Sequence, residues 1–308
     1  PVILGIDTSN YTTSAARLEG GEIFQSKKLL PVKPGQLGLR QSDAVFHHVQ
    51  QLPDRLEEVL QGAPAVRAIG VSDRPRAQEG SYMPCFTVGV GTARALAAAT
   101  GAALYRFSHQ AGHIAAALYS AQKLDLLEQR FLAFHVSGGT TEAVLVTPDE
   151  NEILHAEIVA SSLDLKGGQA VDRAGVLLGL PFPAGPELEK LALCWDAPVK
   201  VRPVMKGCNC SLSGIENQCK KLFDTGHPKE EIARYCLEAV RAALEGMCTA
   251  LLGEYGNLPV LFAGGVMSNS IIKKALTEKF GAYFAEPVFS ADNAAGAAVL
   301  AARREGVL

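Results

Sequence analysis

The sequence predicts an α/β protein of two lobes, each opening on the same three-stranded unit. Three observations predict it. First, an apolar strand-like run at 2–7 turns through Thr8-Ser9-Asn10-Tyr11-Thr12 into a second strand at 13–18, and Gly20-Gly21 turns that strand into a third at 22–29. Second, the pattern restarts at Phe131: a strand at 131–137, the turn Gly138-Gly139-Thr140-Thr141, then strands at 142–147 and 152–160. Third, the 308 residues, 48% hydrophobic and 20% charged, are enough for two ordered cores and describe a globular chain rather than a disordered one. The division is expected at 130/131, giving an N-terminal lobe 1–130 and a C-terminal lobe 131–308 with a helical insertion.

Apolar periodicity places the remaining elements. In the first lobe it predicts a helix at 42–60, a buried strand at 68–71, an alanine-rich helix at 86–99 and a short strand at 102–105. In the second it predicts helices at 168–178, 186–193, 212–223 and 230–254. A strand at 260–263 then runs into Gly264-Gly265-Val266-Met267-Ser268-Asn269 and a helix at 271–280, and a last helix at 294–304 follows Ser290-Ala291-Asp292-Asn293. Each lobe is expected to aim a small-residue turn at a cleft, where backbone N–H groups can meet phosphate oxygens.

Composition excludes several classes. No run of about 18 apolar residues is present, so no membrane span is expected, and the opening Pro1-Val2-Ile3-Leu4-Gly5-Ile6-Asp7 lacks the basic leader of a secretory signal. Seven scattered cysteines, an odd number, point to thiols in a reducing, cytoplasmic compartment rather than a disulfide framework. A formal net charge of −3 gives no bulk attraction to nucleic acid, so any such ligand needs a local basic patch or a basic partner.

Candidate chemistry is concentrated at a few points. His109-Gln110-Ala111-Gly112-His113 sets two imidazoles at i and i+4, which on a helix share one face and suit one ion; the plainer reading is two hydrogen-bonded helix histidines. Gln110 stands where a zinc peptidase carries its general-base glutamate, so peptidase chemistry is disfavoured. Gly89-Val90-Gly91-Thr92-Ala93-Arg94 has Arg94 at the third glycine position of a dinucleotide fingerprint and reads as a helix start. Cys208-Asn209-Cys210 with Cys219 lacks a second C-x-x-C pair and reads as core thiols before it reads as a zinc site. Ser137-Gly138-Gly139-Thr140 and Gly264-Gly265, each an ordinary turn alone, gain interest beside Gly168, Gly185 and Asn269 at other element junctions.

Taken in order these segments resemble one family. His109-Gln110-Ala111-Gly112-His113 matches the H-x-x-G-H motif of the TsaD (YgjD/Gcp) proteins, and His135-Val136-Ser137-Gly138-Gly139-Thr140-Thr141 matches their V-S-G-G-[HN]-T. Gly168-Gln169-Ala170-Val171-Asp172-Arg173 resembles G-E-A-F-D-K, 178–186 resembles L-G-L-x-Y-P-G-G-P, and 211–215 resembles F-S-F-S-G-L. Gly264-Gly265-Val266-Met267-Ser268-Asn269 matches G-G-V-x-x-N, and Ser290-Ala291-Asp292-Asn293 matches the closing T-D-N. The resemblance implies the ASKHA fold of actin and the sugar kinases, with duplicated βββαβα units. It implies transfer of a threonylcarbamoyl group from its adenylate to adenosine of tRNA in a cleft holding iron or zinc. By it, His109, His113, His135 and Asp292 are expected metal ligands, with His135 standing where archaeal-type relatives carry a tyrosine. Ser137, Gly138, Gly139, Gly168, Asp172, Gly185 and Asn269 are expected to line ATP or an acyl-adenylate, and Asp7 to act catalytically near the phosphates. A homo- or hetero-dimer through helices of the N-terminal lobe is expected, with tRNA bound only with a basic partner's help.

The chain departs from the family on one side. Where the family opens I-E-T-S-C-D-E-T, this chain reads Ile6-Asp7-Thr8-Ser9-Asn10-Tyr11-Thr12-Thr13, so the acidic pair is replaced by Tyr11 and Thr12 and the cysteine by Asn10. The short G-P-G-L loop is replaced by the segment 73–84, whose Arg74 and Arg76 read either as a solvated loop or as a grip on an anionic substrate, and Gln169 replaces a glutamate. Two alternatives follow: a divergent paralogue with another carbamoyl acceptor, or a catalytically inactive nucleotide-binding regulatory subunit.

Overall fold

The computed structural model describes residues 1–9, 11–36 and 38–308. The first sheet contains β1 (Val2–Ser9), β2 (Thr12–Glu19), β3 (Glu22–Leu29), β4 (Val66–Arg74) and β5 (Ala103–Ser108), interleaved with α1 (Gln41–Leu60) and α2 (Phe86–Thr100), and β5 runs into α3 (His109–Ser120). The second half brings β6 (Phe131–Val136), β7 (Thr141–Asp149), β8 (Ile153–Ser161), α4 (Gly167–Leu177), α5 (Gly185–Leu193), the hairpin β9 (Val204–Lys206) and β10 (Asn209–Ser211), α6 (Ser213–Asp224) and α7 (Lys229–Tyr255). It closes with β11 (Val260–Ala263), α8 (Ser270–Phe280), β12 (Tyr283–Phe284), α9 (Pro287–Ser290) and α10 (Ala295–Arg304).

The two sheets repeat one topology. Their strand orders are β3-β2-β1-β4-β5 and β8-β7-β6-β11-β12. In each, an antiparallel meander is extended by two parallel strands reached through helices, so the predicted duplication holds. Thr12 is the first residue of β2 and pairs with Ser9, the last of β1; Asn10, in the turn predicted between them, lies outside the described residues.

β1 is buried along its whole length, as a central strand covered on both faces must be. Leu4, Ile6 and Ile69 meet Leu52, Leu56 and Ala93 of α1 and α2 on one face. The other face carries α10, whose Ala295-Gly296-Ala297-Ala298-Val299-Leu300-Ala301-Ala302 are all buried. Such close helix–sheet contact needs strand glycines: a Cβ on Gly5 would stand 2.3 Å from the Ala294 carbonyl oxygen, and one on Gly70 2.1 Å from that of Ala297.

α10 corrects the expected contiguous division at 130/131. The compact units are 1–124 with 148–155 and 288–308, and 125–147 with 156–287. Sequence order placed the last helix in the second lobe; its alanine face finds its partner on the first sheet. The second unit has its own core, with Phe134, Phe262, Leu237, Leu244 and Met247 buried among helices α4 to α8.

A polar lock in this second unit carries a stability prediction. Asp164 Oδ1 accepts from the backbone N–H of Leu165 (2.6 Å), Leu212 (2.7 Å) and Ser213 (3.3 Å), and Oδ2 accepts from Ser213 Oγ at 2.7 Å. Partial desolvation opposes ionisation, but these donors hold the carboxyl below its ordinary value. Asp164→Ala is expected to destabilise by about 1 kcal/mol at neutral pH, as loss of a helix-terminal cap does. Because the folded-state pKa is depressed, this contribution is present above the unfolded value of about 3.9 and fades as pH falls through the lower folded value. Urea unfolding of both proteins at neutral pH and at pH 3 measures it; an unchanged difference between the two conditions would refute the linkage.

No helix among the described residues is long and apolar enough to cross a membrane. Among the described residues the seven cysteines are free, and Cys85, Cys210, Cys219, Cys236 and Cys248 are buried.

Candidate metal centre and nucleotide pocket

The metal group is assembled by the junctions β5–α3 and α9–α10, both in the first unit. β5 ends at Ser108, whose hydroxyl accepts from Ala111 N at 3.1 Å and starts α3 at His109. The Gln110 amide donates to Pro75 O at 3.0 Å, tying the same helix start to the segment after β4. With α3 formed, His109 and His113 share a face, their rings 4.6 Å apart and edge to face.

Asp292 arrives from the turn before α10. Asn293 holds that turn: its Oδ1 accepts from Ala295 N (2.9 Å) and its Nδ2 donates to Ala291 O (2.7 Å), while Ala294 N donates to Ser14 Oγ on β2 (2.8 Å). The glycine inside the histidine motif explains the approach of the two helices. Gly112 and Gly296 cross backbone to backbone, so closely that a Cβ on Gly296 would lie 1.7 Å from Gly112 O. Asp292 Oδ1 consequently stands 2.9 Å from His113 Nε2 and 3.2 Å from His109 Nε2.

Electrostatics follow from this crowding. Burial opposes the charged form of His109, but Asp7 and Asp292 outweigh it and raise its pKa to about 10. Burial likewise opposes the Asp292 carboxylate, and hydrogen bonds from His109 and His113 hold it well below the usual carboxylate range. Among the described residues this is the one group of three metal-capable side chains, its ligand atoms all within 4.8 Å of one another. Two imidazole nitrogens and a carboxylate oxygen suit zinc or iron. Ligands at 2.0–2.2 Å in a tetrahedron sit about 3.4 Å apart, so the two distances from Asp292 Oδ1 to the imidazoles, 2.9 and 3.2 Å, fall only a few tenths of an ångström short of that spacing.

Asp7 joins the group from β1. It is 2% exposed; its Oδ2 lies 2.7 Å from His109 Nδ1 and accepts from Ser72 Oγ at 2.5 Å, and its Oδ1 accepts from Ser9 N at 2.9 Å. Burial works against its ionisation, and His109, Ser72 and Ser9 together keep its pKa low. His135, the fourth expected ligand, is on β6 in the second unit, opposite Glu142 of β7 and Ala263 of β11, and is not part of the converging trio.

The second unit holds a separate cavity of about 370 Å³. Six of the seven residues expected around a nucleotide line it: Ser137, Gly138, Gly168, Asp172, Gly185 and Asn269; Gly139 is not among its lining residues. The local structure accounts for the cluster. Gly168 N donates to Ser137 O (3.0 Å) and Gly167 N to Thr141 Oγ1 (2.8 Å), drawing the start of α4 against the β6–β7 turn. Asn269 Oδ1 caps α8 by accepting from Ile271 N and Ile272 N, both at 3.1 Å. Asp172 Oδ1 accepts from Ala184 N at 3.0 Å and fixes the loop before α5.

Sequence reasoning missed several participants. Glu189 lines the cavity and accepts from the Ser270 amide at 2.6 Å; its place one helical turn beyond Pro186 on α5 was the available signal. Ser72 had none, since a single serine within a strand carries no pattern. Arg74, which reads either as part of a solvated loop or as an anion grip, is paired with Asp73 (2.5 Å) and Glu152 (3.1 Å). At the positions of the missing acidic pair, Tyr11 is 44% exposed and Thr12 is buried in β2.

Comparison with known proteins adds to this geometry. The family described as TsaD: tRNA N6-adenosine threonylcarbamoyltransferase matches residues 24–299. The tRNA N6-adenosine threonylcarbamoyltransferase of Bacillus subtilis is 30% identical over 294 residues, covering 90% of this chain and 81% of that protein. That of Thermus thermophilus is 29% identical over 309 residues, covering 98% and 92%. Among solved structures, component A of the Acidaminococcus fermentans (R)-2-hydroxyglutaryl-CoA dehydratase is similar with a TM-score of 0.56 at 17% identity, over 99% of both chains. Full-length HypF in its phosphate- and nucleotide-bound form gives 0.62 at 14% identity, over 100% of this chain and 55% of that one. At such identities the structures speak to the fold alone, which is the duplicated ASKHA-type fold.

Proposed function

The chain belongs to the TsaD family of transferases, and from that premise we propose that it uses one divalent metal to move a threonylcarbamoyl group from an adenylate to an adenosine of tRNA. The convergence of His109, His113 and Asp292 is the observation that carries this reading. These three side chains would hold iron or zinc. An ion held there supplies Lewis-acid polarisation of a carbonyl oxygen.

The chain's own residues bind and orient. The cavity of the second unit takes the adenylate: Val171, Leu237 and Val266 offer an apolar wall, and the carboxylates of Asp172 and Glu189 are acceptors for sugar hydroxyls. The exocyclic amine of the acceptor adenosine attacks the carbamoyl carbon; a C–N bond forms, the C–O bond to phosphate breaks, and AMP leaves with the electron pair while the amine proton passes to solvent. Binding both reactants in register is the main contribution of such a site.

A net charge of −3 leaves tRNA docking to a basic partner, and Phe46 and Val49, 58% and 55% exposed on α1, favour a homo- or hetero-dimer through helices of the first unit. The thiols fit a cytoplasmic setting. No observation favours the inactive subunit or another acceptor.

The test is metal analysis after reconstitution with iron or zinc, followed by mass spectrometry of tRNA nucleosides after incubation with the adenylate and cell extract lacking the endogenous enzyme. One ion per chain and modified adenosine are expected from wild type, and neither from the His109→Ala/His113→Ala double variant. A wild type holding no stoichiometric metal would sink the reading. The cavity has its own check. AMP at about 100 times its Kd raises stability by about 2.7 kcal/mol, and Asp172→Ala is expected to remove more than half of the resulting shift in Tm; a full shift in the variant would exclude Asp172 from the nucleotide site.

A further inference from the structure

We propose that Asp7 positions His109 for the metal, by accepting a hydrogen bond from Nδ1–H so that the proton stays on Nδ1 and Nε2 alone presents a lone pair to the ion. The inference rests on the metal reading above and gives Asp7 a role through the imidazole rather than at the phosphates.

Five contacts carry it. His109 Nδ1 is 2.7 Å from Asp7 Oδ2, while its Nε2 faces the Asp292 oxygen that His113 Nε2 also approaches. The ring therefore has one nitrogen turned to the strand and the other to the ligand trio, and flipping it would exchange them. Ser72 Oγ and Ser9 N fix the carboxylate itself, at 2.5 and 2.9 Å. Asp7 is 2% exposed, so water does not compete for His109 Nδ1 from that side. A carboxylate accepting from the far nitrogen of a metal-bound imidazole sets its tautomer, orients the ring and raises its basicity as a ligand.

Zinc affinity of the full chain, measured by competition with a chromophoric chelator, tests the assignment. Asp7→Ala is expected to weaken zinc binding about 10- to 100-fold, the usual cost of losing such a partner. Asp7→Asn, which keeps an acceptor oxygen but no charge, should fall between Asp7→Ala and wild type, and Ser72→Ala, which loosens the carboxylate without removing it, should cost a few-fold. A long-range ¹H–¹⁵N spectrum of the zinc-loaded protein supplies a readout that general destabilisation does not move. In wild type His109 should show a metal-bound Nε2 and a slowly exchanging Nδ1 proton, and in Asp7→Ala that proton should be lost to exchange. Should Asp7→Ala not fold, Asp7→Asn and Ser72→Ala decide the matter on the same two readouts. Zinc affinities within two-fold of wild type, with the His109 resonances unchanged, would overturn the proposal. A wild type that takes up no zinc or iron fails earlier, at the proposed function, and removes this role with it.

Discussion

Gly296→Ala is expected to separate α3 from α10 and empty the metal group, while Gly112→Ala, at the other side of the same crossing, is expected to be tolerated. The asymmetry is geometric. A Cβ on Gly296 would lie 1.7 Å from Gly112 O, 2.3 Å from its carbonyl carbon and 2.6 Å from its Cα, all backbone atoms that no rotamer change can move. The helices must part by more than 1 Å, and Asp292, four residues before Gly296, moves with its helix away from both imidazoles. Overpacking of this kind costs about 3 kcal/mol, which for a chain of this size lowers Tm by roughly 5 °C. A Cβ on Gly112 finds its nearest neighbour, Ala297 N, at 3.7 Å, an ordinary contact. Replacing a helix-interior glycine there adds up to about 1 kcal/mol of helix propensity. Thermal unfolding and metal content of the two variants compare them directly; equal Tm values and equal metal content would show that the helix crossing does not control the site.

Asp292→Asn is the second large expected effect. Its Oδ1 is the point on which both imidazoles converge. The amide is isosteric, so the fold should hold, but the centre loses its only anionic ligand within the trio. Loss of an outer hydrogen-bond partner weakens metal binding about 10- to 100-fold, and loss of a directly coordinating carboxylate is expected to exceed that. The measured order should be Asp292→Asn weaker than Asp7→Ala, and Asp7→Ala weaker than Asp7→Asn. Transfer activity should fall with metal occupancy. An Asp292→Asn protein that binds zinc as tightly as wild type would remove Asp292 from the ligand set.

Much of the fold was legible because its signals are local. The strands at 22–29 and 260–263 fall where apolar runs meet glycine turns, and the structure places β3 and β11 on those same residues. The restart at Phe131 was legible because the two halves repeat one order of elements, and the matching strand orders follow from it. Less was legible where chain order misleads. α10 is last in sequence but covers the first sheet, because Gly5 and Gly70 leave room for its alanines there and nothing in a one-dimensional reading pairs residues so far apart. The short β9–β10 hairpin and β12 went unpredicted, since strands of two or three residues carry too little periodicity.

The candidate site divides along the same line. The spacing of His109 and His113 by itself put two imidazoles on one helical face, since i and i+4 are neighbours on any α-helix, and the motif order along the chain fixed the family. That an aspartate 179 residues beyond His113 meets both rings, and that Asp7 reaches only the far nitrogen of His109, was decided by two helices crossing at a pair of glycines and by a serine on β4. Periodicity encodes which face a side chain occupies; contact between distant segments depends on how closely their backbones can approach, and that distance is set only when the sheet and its helices are packed together.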